Sequence, residues 1–239
     1  MCTVTFLPLP DSGFLLTSNR DERQTRPGAT VPKRYRLGNR TVFFPKDGPS
    51  GGTWIATDEQ RHTLCLLNGA FEPHAPRPPY RHSRGRVILD FFGYENETDF
   101  SIHYDFSDLE PFTLVVVEYD PVLTLVEVRW DGTRFHRSRL DVTRPRLWSS
   151  ATLYPQPVRE KRERWFTDWL DGQAPFSQEA VVAFHRVAGD GDPRHDLLMQ
   201  RPDGFQTVSI TSVERSATAH RIVYHDLQAQ TDTTFRILS

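Results

Sequence analysis

Segments with a period of two come in neighbouring pairs joined by turn signals, and segments with helical spacing fall between blocks of such pairs. That order decides the class of fold, because a parallel sheet needs strand and helix to alternate. Thr3 to Leu7 alternates β-branched and large apolar residues, meets a turn at Pro10-Asp11-Ser12-Gly13 and continues as Phe14 to Thr17, which predicts a β-hairpin. With the turn centred near Asp11 and Ser12, paired positions sum to about 23, bringing Cys2 opposite or beside Arg20 and Asp21. Glu22 to Arg40, rich in Arg, Lys, Pro and Gly, reads as an extended surface loop. Gly51 to Ala56 and His62 to Leu67 form a second hairpin ending at Asn68-Gly69.

After the Pro-rich link Pro73 to Pro79, Ser83 is positioned to cap a helix carrying Val87, Ile88, Phe91 and Phe92. Phe112 to Glu118, Leu123 to Trp130 and Arg134 to Ser138 read as strands, the last two joined at Asp131-Gly132. Helices are expected from about Pro157 to Asp171 and after a Ser177 cap. Phe205 to Glu214 and Arg221 to Asp226 make a further strand pair, with Thr234 to Leu238 as an edge. The expectation is an α+β fold of stacked antiparallel sheets with helices outside, as one domain over residues 1–239, since the Pro-rich link is too short to divide it.

With 29 Lys and Arg against 31 Asp and Glu, the formal net charge of −2 leaves no overall field to attract phosphate backbones, so no nucleic-acid partner is expected. No apolar run is long enough to span a bilayer, and the first residues lack a basic leader. Together with only two cysteines, Cys2 and Cys65, this points to the cytoplasm. The nine histidines show no H-E-x-x-H pattern and there is no Cys-x-x-Cys, so neither a metal nor another cofactor is expected. Asp190-Gly191-Asp192 lacks the calcium-loop spacing and reads as a polar turn. The sequence leaves the oligomeric state open.

The chemistry points to the chain start. A small residue after Met1 permits removal of the methionine, which leaves Cys2 with a thiol and a free α-amine. Such an amine titrates at about 7.7 to 8.0, close to the pH that suits a general base, and the thiol beside it is an activatable nucleophile. Asp21 is placed to hold the ammonium form, and Arg20 to stabilise a thiolate or oxyanion unless it serves an ordinary ion pair with Asp21 or Glu22. Strand alternation lets only one of the two face Cys2, and Asp21 is the preferred one. Cys65, on an apolar strand, reads as a small buried hydrophobe. The cations Arg23, Arg26, Lys33, Arg34, Arg36 and Arg40 suit either an anionic substrate or a solvated loop.

Met1-Cys2-Thr3, Thr17-Ser18-Asn19-Arg20-Asp21-Glu22, Gly51-Gly52-Thr53-Trp54-Ile55 and Leu67-Asn68-Gly69 occur in an order that resembles the NRDE family, the transport and Golgi organisation protein 2-like proteins. Trp148 to Tyr154 and the Val208 to Val213 hairpin extend a looser likeness. That family is similar to N-terminal nucleophile hydrolases of the choloylglycine hydrolase and penicillin V acylase branch, which implies a four-layer αββα sandwich. Carried over by motif, the resemblance implies Cys2 as nucleophile, Asp21 as partner of its amine and Asn68 in the oxyanion hole. Ser149 falls where the branch has a second oxyanion Asn, and Arg159 or preferably Arg162 answers to a later Arg. An Arg that the branch carries three residues before its Asp is replaced here by Ser18, with Arg20 directly before Asp21. The implied activity is cofactor-free hydrolysis of a linear amide or related acyl compound, a small and possibly anionic molecule. Family members linked to secretory organisation and to haem or acyl-lipid handling imply a second reading, a non-catalytic binding or carrier protein on the same fold.

Overall fold

The structure is a computed structural model that describes residues 3–172 and 175–238. Two compact units divide the chain, residues 1–27 with 143–239 and residues 28–142.

In the first unit, β1 (Thr3–Leu9) and β2 (Gly13–Arg23) form the expected hairpin, joined through Asp11 and Ser12, both at positive φ as a tight hairpin turn demands. The described pairs sum to 22, as in Thr3 with Asn19, one less than expected; the pairing expected for Cys2 lies outside the described residues. The sheet runs β10 (Arg146–Ser149), β1, β2, β11 (Phe205–Arg215), β12 (His220–Asp226), β13 (Thr231–Leu238), antiparallel throughout. Two helices belong to this unit: α3 (Gln156–Leu170), which contacts β10, and α4 (Gln178–Val187), which lies against β2 and β11. Ser177 caps α4 as expected, its Oγ accepting from the Ala180 N–H at 3.1 Å. Leu7 and Leu15 pack with Phe166, Val181 and Phe184 of the helices, so one face of this sheet is apolar at the turn end of its first hairpin.

The second unit is a seven-stranded antiparallel sheet in chain order: β3 (Lys33–Leu37), β4 (Arg40–Phe44), β5 (Ile55–Asp58), β6 (His62–Asn68), β7 (Phe112–Glu118), β8 (Thr124–Trp130) and β9 (Phe135–Leu140). The loop expected from Glu22 to Arg40 is thus partly strand. From Arg34 on, β3 alternates cationic and apolar positions, and Tyr35 stacks on Phe44 at 4.1 Å; an edge strand tolerates such charge because its outer side faces no partner. Helix α1 (Gly85–Phe91) buries Val87, Ile88 and Phe91 as expected, but its N-cap is Arg84 and Ser83 makes no cap bond. The short α2 (Glu97–His103) has no helical stripe in the sequence. Asn96 caps it, and Glu97 is completely buried because Arg137 of β9 grips its carboxylate at 2.7 and 2.9 Å.

The Gly51-Gly52-Thr53-Trp54 motif has a structural cause. A Cβ on Gly52 would stand 2.6 Å from the Gly85 carbonyl carbon, so only glycine lets this segment cross the start of α1, and Gly51 takes φ +68. Of the described helices, none is long and apolar enough to cross a membrane.

Candidate functional site

Asp21 is a buried acidic group of the first unit. β2 places it on the face that also carries Thr17 and Asn19, directly across from Thr207 of β11. It is only 3% exposed. Thr207 Oγ1 donates to Oδ1 at 2.6 Å, and the Tyr154 hydroxyl donates to Oδ2 at 2.6 Å. A β-bulge follows Thr207, so the pairing slips by one residue between Asp21 and Arg20, the kind of irregularity that re-aims side chains beside functional sites.

Tyr154 is completely buried and is set by its local sequence. Its N–H bonds to the Ser150 carbonyl to close a turn after β10, and Pro155, in extended conformation, starts α3 directly behind it. On α3, Val158, Arg162 and Phe166 recur every fourth residue and make the buried stripe. Arg162 therefore occupies a core position and has 0% exposure. Its guanidinium lies 3.6 Å from the Tyr154 ring centre and donates to Thr3 Oγ1 at 2.6 Å, to the His195 carbonyl at 3.0 Å and to the Asp196 carbonyl at 2.6 Å. Stacking and a planar fork of donors suit Arg and would not suit Lys. The residue it reaches, Thr3, is bonded to Cys2.

His185 of α4 completes the polar end of this face. Asn19 donates its amide to the Leu197 carbonyl at 2.8 Å, so its Oδ1 accepts from His185 Nδ1 at 2.7 Å; His185 Nε2 then accepts from Thr5 Oγ1 at 2.8 Å. Complete burial, and then the charge of Arg162, push the imidazole pKa down to about 3. The unfolded chain takes up this proton first, at about pH 6.5. The stability this neutral ring confers is therefore whole above that pH and is lost as pH falls toward the folded value. Denaturant melts between pH 7 and pH 5, above the carboxylate range, are expected to lose stability at up to about 1.4 kcal/mol per pH unit. A flat profile there would show that the ring is protonated in the fold.

The other residues singled out from sequence fall as follows. Cys2 and Met1 lie outside the described residues. Arg20 is buried on the face opposite Asp21 and has an ion pair with Glu22 at 3.9 Å, which itself also pairs with Arg26. Ser149 pairs directly with Thr3, and its Oγ is buried with no hydrogen-bond partner among the described residues. Arg159 is half-buried with a buried Nε that likewise lacks a partner, whereas Arg162 is the one that reaches Thr3. Asn68 ends β6 in the second unit, opposite Phe112; beyond it Gly69 takes φ +82 and its N–H bonds to the Pro111 carbonyl. Cys65 is fully buried in β6 opposite Ile55.

Most of the cationic cluster serves local contacts: Arg23 lies over Phe205, Arg26 pairs with Glu22, Arg34 with Glu59, and Arg40 with Asp58. In the Asp190 loop, Lys161 takes the Asp190 carboxylate, and Arg194 and His195 take that of Asp192. No three metal-ligating side chains converge among the described residues.

Sequence reasoning missed Tyr154, Thr207 and His185. A charged residue at position 162 in an apolar helical stripe was the available signal for the network around them. It also missed a buried cluster in the second unit. There Asp58 Oδ1 accepts from the backbone N–H groups of Gln60, Arg61 and His62, and Oδ2 from Arg40 at 3.0 Å. Burial alone would raise this carboxyl, but hydrogen bonds from His62 and from the Arg61 and His62 backbone outweigh it and hold the group well below the carboxylate range.

Comparison with solved structures places this geometry on a known fold. A Caenorhabditis elegans N-acylethanolamine-hydrolyzing acid amidase (NAAA) ortholog aligns at 12% identity over 89% of this chain and 92% of that one, with a TM-score of 0.57. A variant of conjugated bile acid hydrolase from Clostridium perfringens aligns at 8% identity over 99% and 92%, with a TM-score of 0.54. At these identities the likeness shows the fold alone, which bears out the α+β, αββα class expected from the sequence. No curated protein matches the chain. The profile of one family, described as Transport and Golgi organisation 2, matches residues 1–190, and the chain belongs to that family.

Proposed function

We propose that this protein is a cofactor-free N-terminal cysteine hydrolase of a linear amide or related acyl compound. The observation that carries the reading is the Asp21 carboxylate, buried yet oriented by two neutral hydroxyls, on the strand that pairs with the chain start. A buried carboxylate whose plane is set by fixed hydroxyl donors is suited to hold an ammonium group. In the proposed reaction the Cys2 sulfur attacks the substrate carbonyl carbon and a C–S bond forms. The oxyanion is stabilised by the Ser149 hydroxyl, whose Oγ has no hydrogen-bond partner among the described residues, and the family resemblance assigns Asn68 to the same task. The α-amine carries the thiol proton to the leaving nitrogen as the C–N bond breaks, and water then releases the acyl group and restores the thiol. Arg162 supports the site electrostatically through its contact with Thr3. The fold shared with an acid amidase ortholog and a conjugated bile acid hydrolase agrees with this chemistry.

Incubation with an acylating probe followed by peptide mass mapping tests it. One label on Cys2 is expected. A label confined to Cys65, or none on protein whose intact mass shows Met1 removed, would sink the hydrolase and leave the carrier reading.

A further inference from the structure

We propose that Tyr154 is a positioning residue for this chemistry, its hydroxyl holding the Asp21 carboxylate aimed; the inference rests on the hydrolase reading. The terminal torsion of an aspartate is soft, with broad wells, so a single donor leaves the carboxylate plane free to turn. Here Oδ2 accepts a short bond from Tyr154 and Oδ1 one from Thr207, and these donors come from separate segments of the unit, which fixes the plane. The Tyr154 ring carries cations as well: the Arg162 guanidinium at 3.6 Å and that of Arg201 at 5.3 Å. Positive charge over a phenol ring draws electron density from its oxygen and makes the O–H a stronger donor. Arg162 in turn donates to Thr3 Oγ1, so a continuous run of contacts joins Thr3, Arg162, Tyr154, Asp21 and Thr207. A tyrosine serving only to fill the core would place its hydroxyl on any acceptor. This one donates to the carboxylate that the proposed chemistry requires, with a cation stacked on its ring.

Tyr154→Phe removes the hydroxyl and keeps the ring under Arg162. Without that donor the carboxylate plane can turn and holds the α-ammonium less well, so the rate of Cys2 acylation by the probe is expected to fall about 10-fold at neutral pH, with the acid limb of the rate–pH profile, set by the α-amine, moved to lower pH. Thr207→Val deletes the other donor and is expected to move the limb the same way. Tyr104→Phe is the control for a structural loss: Tyr104, in the second unit, donates to Asp90 at 3.0 Å, and its loss is expected to lower the denaturation midpoint without moving the profile. Profiles of both site variants superimposing on that of the parent, with parent protein labelled at Cys2, would overturn the role of Tyr154 alone. Absence of label from the parent would overturn the hydrolase reading and this inference with it.

Discussion

Cys2→Ala is expected to abolish turnover of a linear amide, with a loss on the order of 10³-fold or more, while leaving the denaturation midpoint nearly unchanged. Removing a nucleophile eliminates the covalent route entirely, and what remains is whatever the oxyanion donors and substrate binding provide over water. Cys2→Ser should retain little, because a hydroxyl is far less acidic than a thiol and gains less from the same base. An extra residue before Cys2 should be nearly as damaging as Cys2→Ala, since it keeps the sulfur and removes the free amine that serves as base. Cys65→Ala supplies the contrast: its thiol is fully buried in β6, so turnover should persist and only packing should suffer. Measured turnover of Cys2→Ala equal to that of the parent would end the proposed mechanism, whereas turnover lost only with Cys65→Ala would relocate it.

Much of this was legible in the sequence because the relevant signals are local. Strand pairs separated by tight turns fixed the antiparallel class, and the Ser177 cap marked the start of α4. The β1–β2 hairpin was visible from its alternation and its turn, with a register one unit from the expected sum. What escaped depends on contacts distant in sequence. α2 forms because Arg137, forty positions on, neutralises Glu97 inside the second unit, and no window of α2 contains that fact. β3 looked like a loop since its charges hid an alternation that only Tyr35 against Phe44 makes useful. Tyr154 and Thr207 carry no signature alone; they become informative only when two chain segments converge on Asp21. Position 162 was different. The helical repeat placed an arginine between Val158 and Phe166, where a stripe residue should be apolar, and such a violation of pattern marks a residue held for its contacts.

Arg162→Ala is accordingly expected to destabilise the protein by about 3 kcal/mol, read as a lowered urea midpoint at constant slope. Two effects add. Truncation leaves a cavity beneath Tyr154, and it strips the donor from Thr3 Oγ1 and from the carbonyls of His195 and Asp196. Opposing them is relief from burying a guanidinium, which costs several kcal/mol in a dry site. The bonds and the packing should prevail, because Thr3 Oγ1 is fully buried and the guanidinium spends its donors on three separate oxygens. Arg162→Met separates the contributions. It refills the cavity but makes no hydrogen bond, so an intermediate midpoint is expected. A methionine variant as stable as the parent would mean that desolvation cancels the hydrogen bonds, leaving the cation without a folding role. An alanine variant within 1 kcal/mol of the parent, by the criterion that buried-network losses are normally larger than this, would defeat the claim that Arg162 ties α3 to the start of β1.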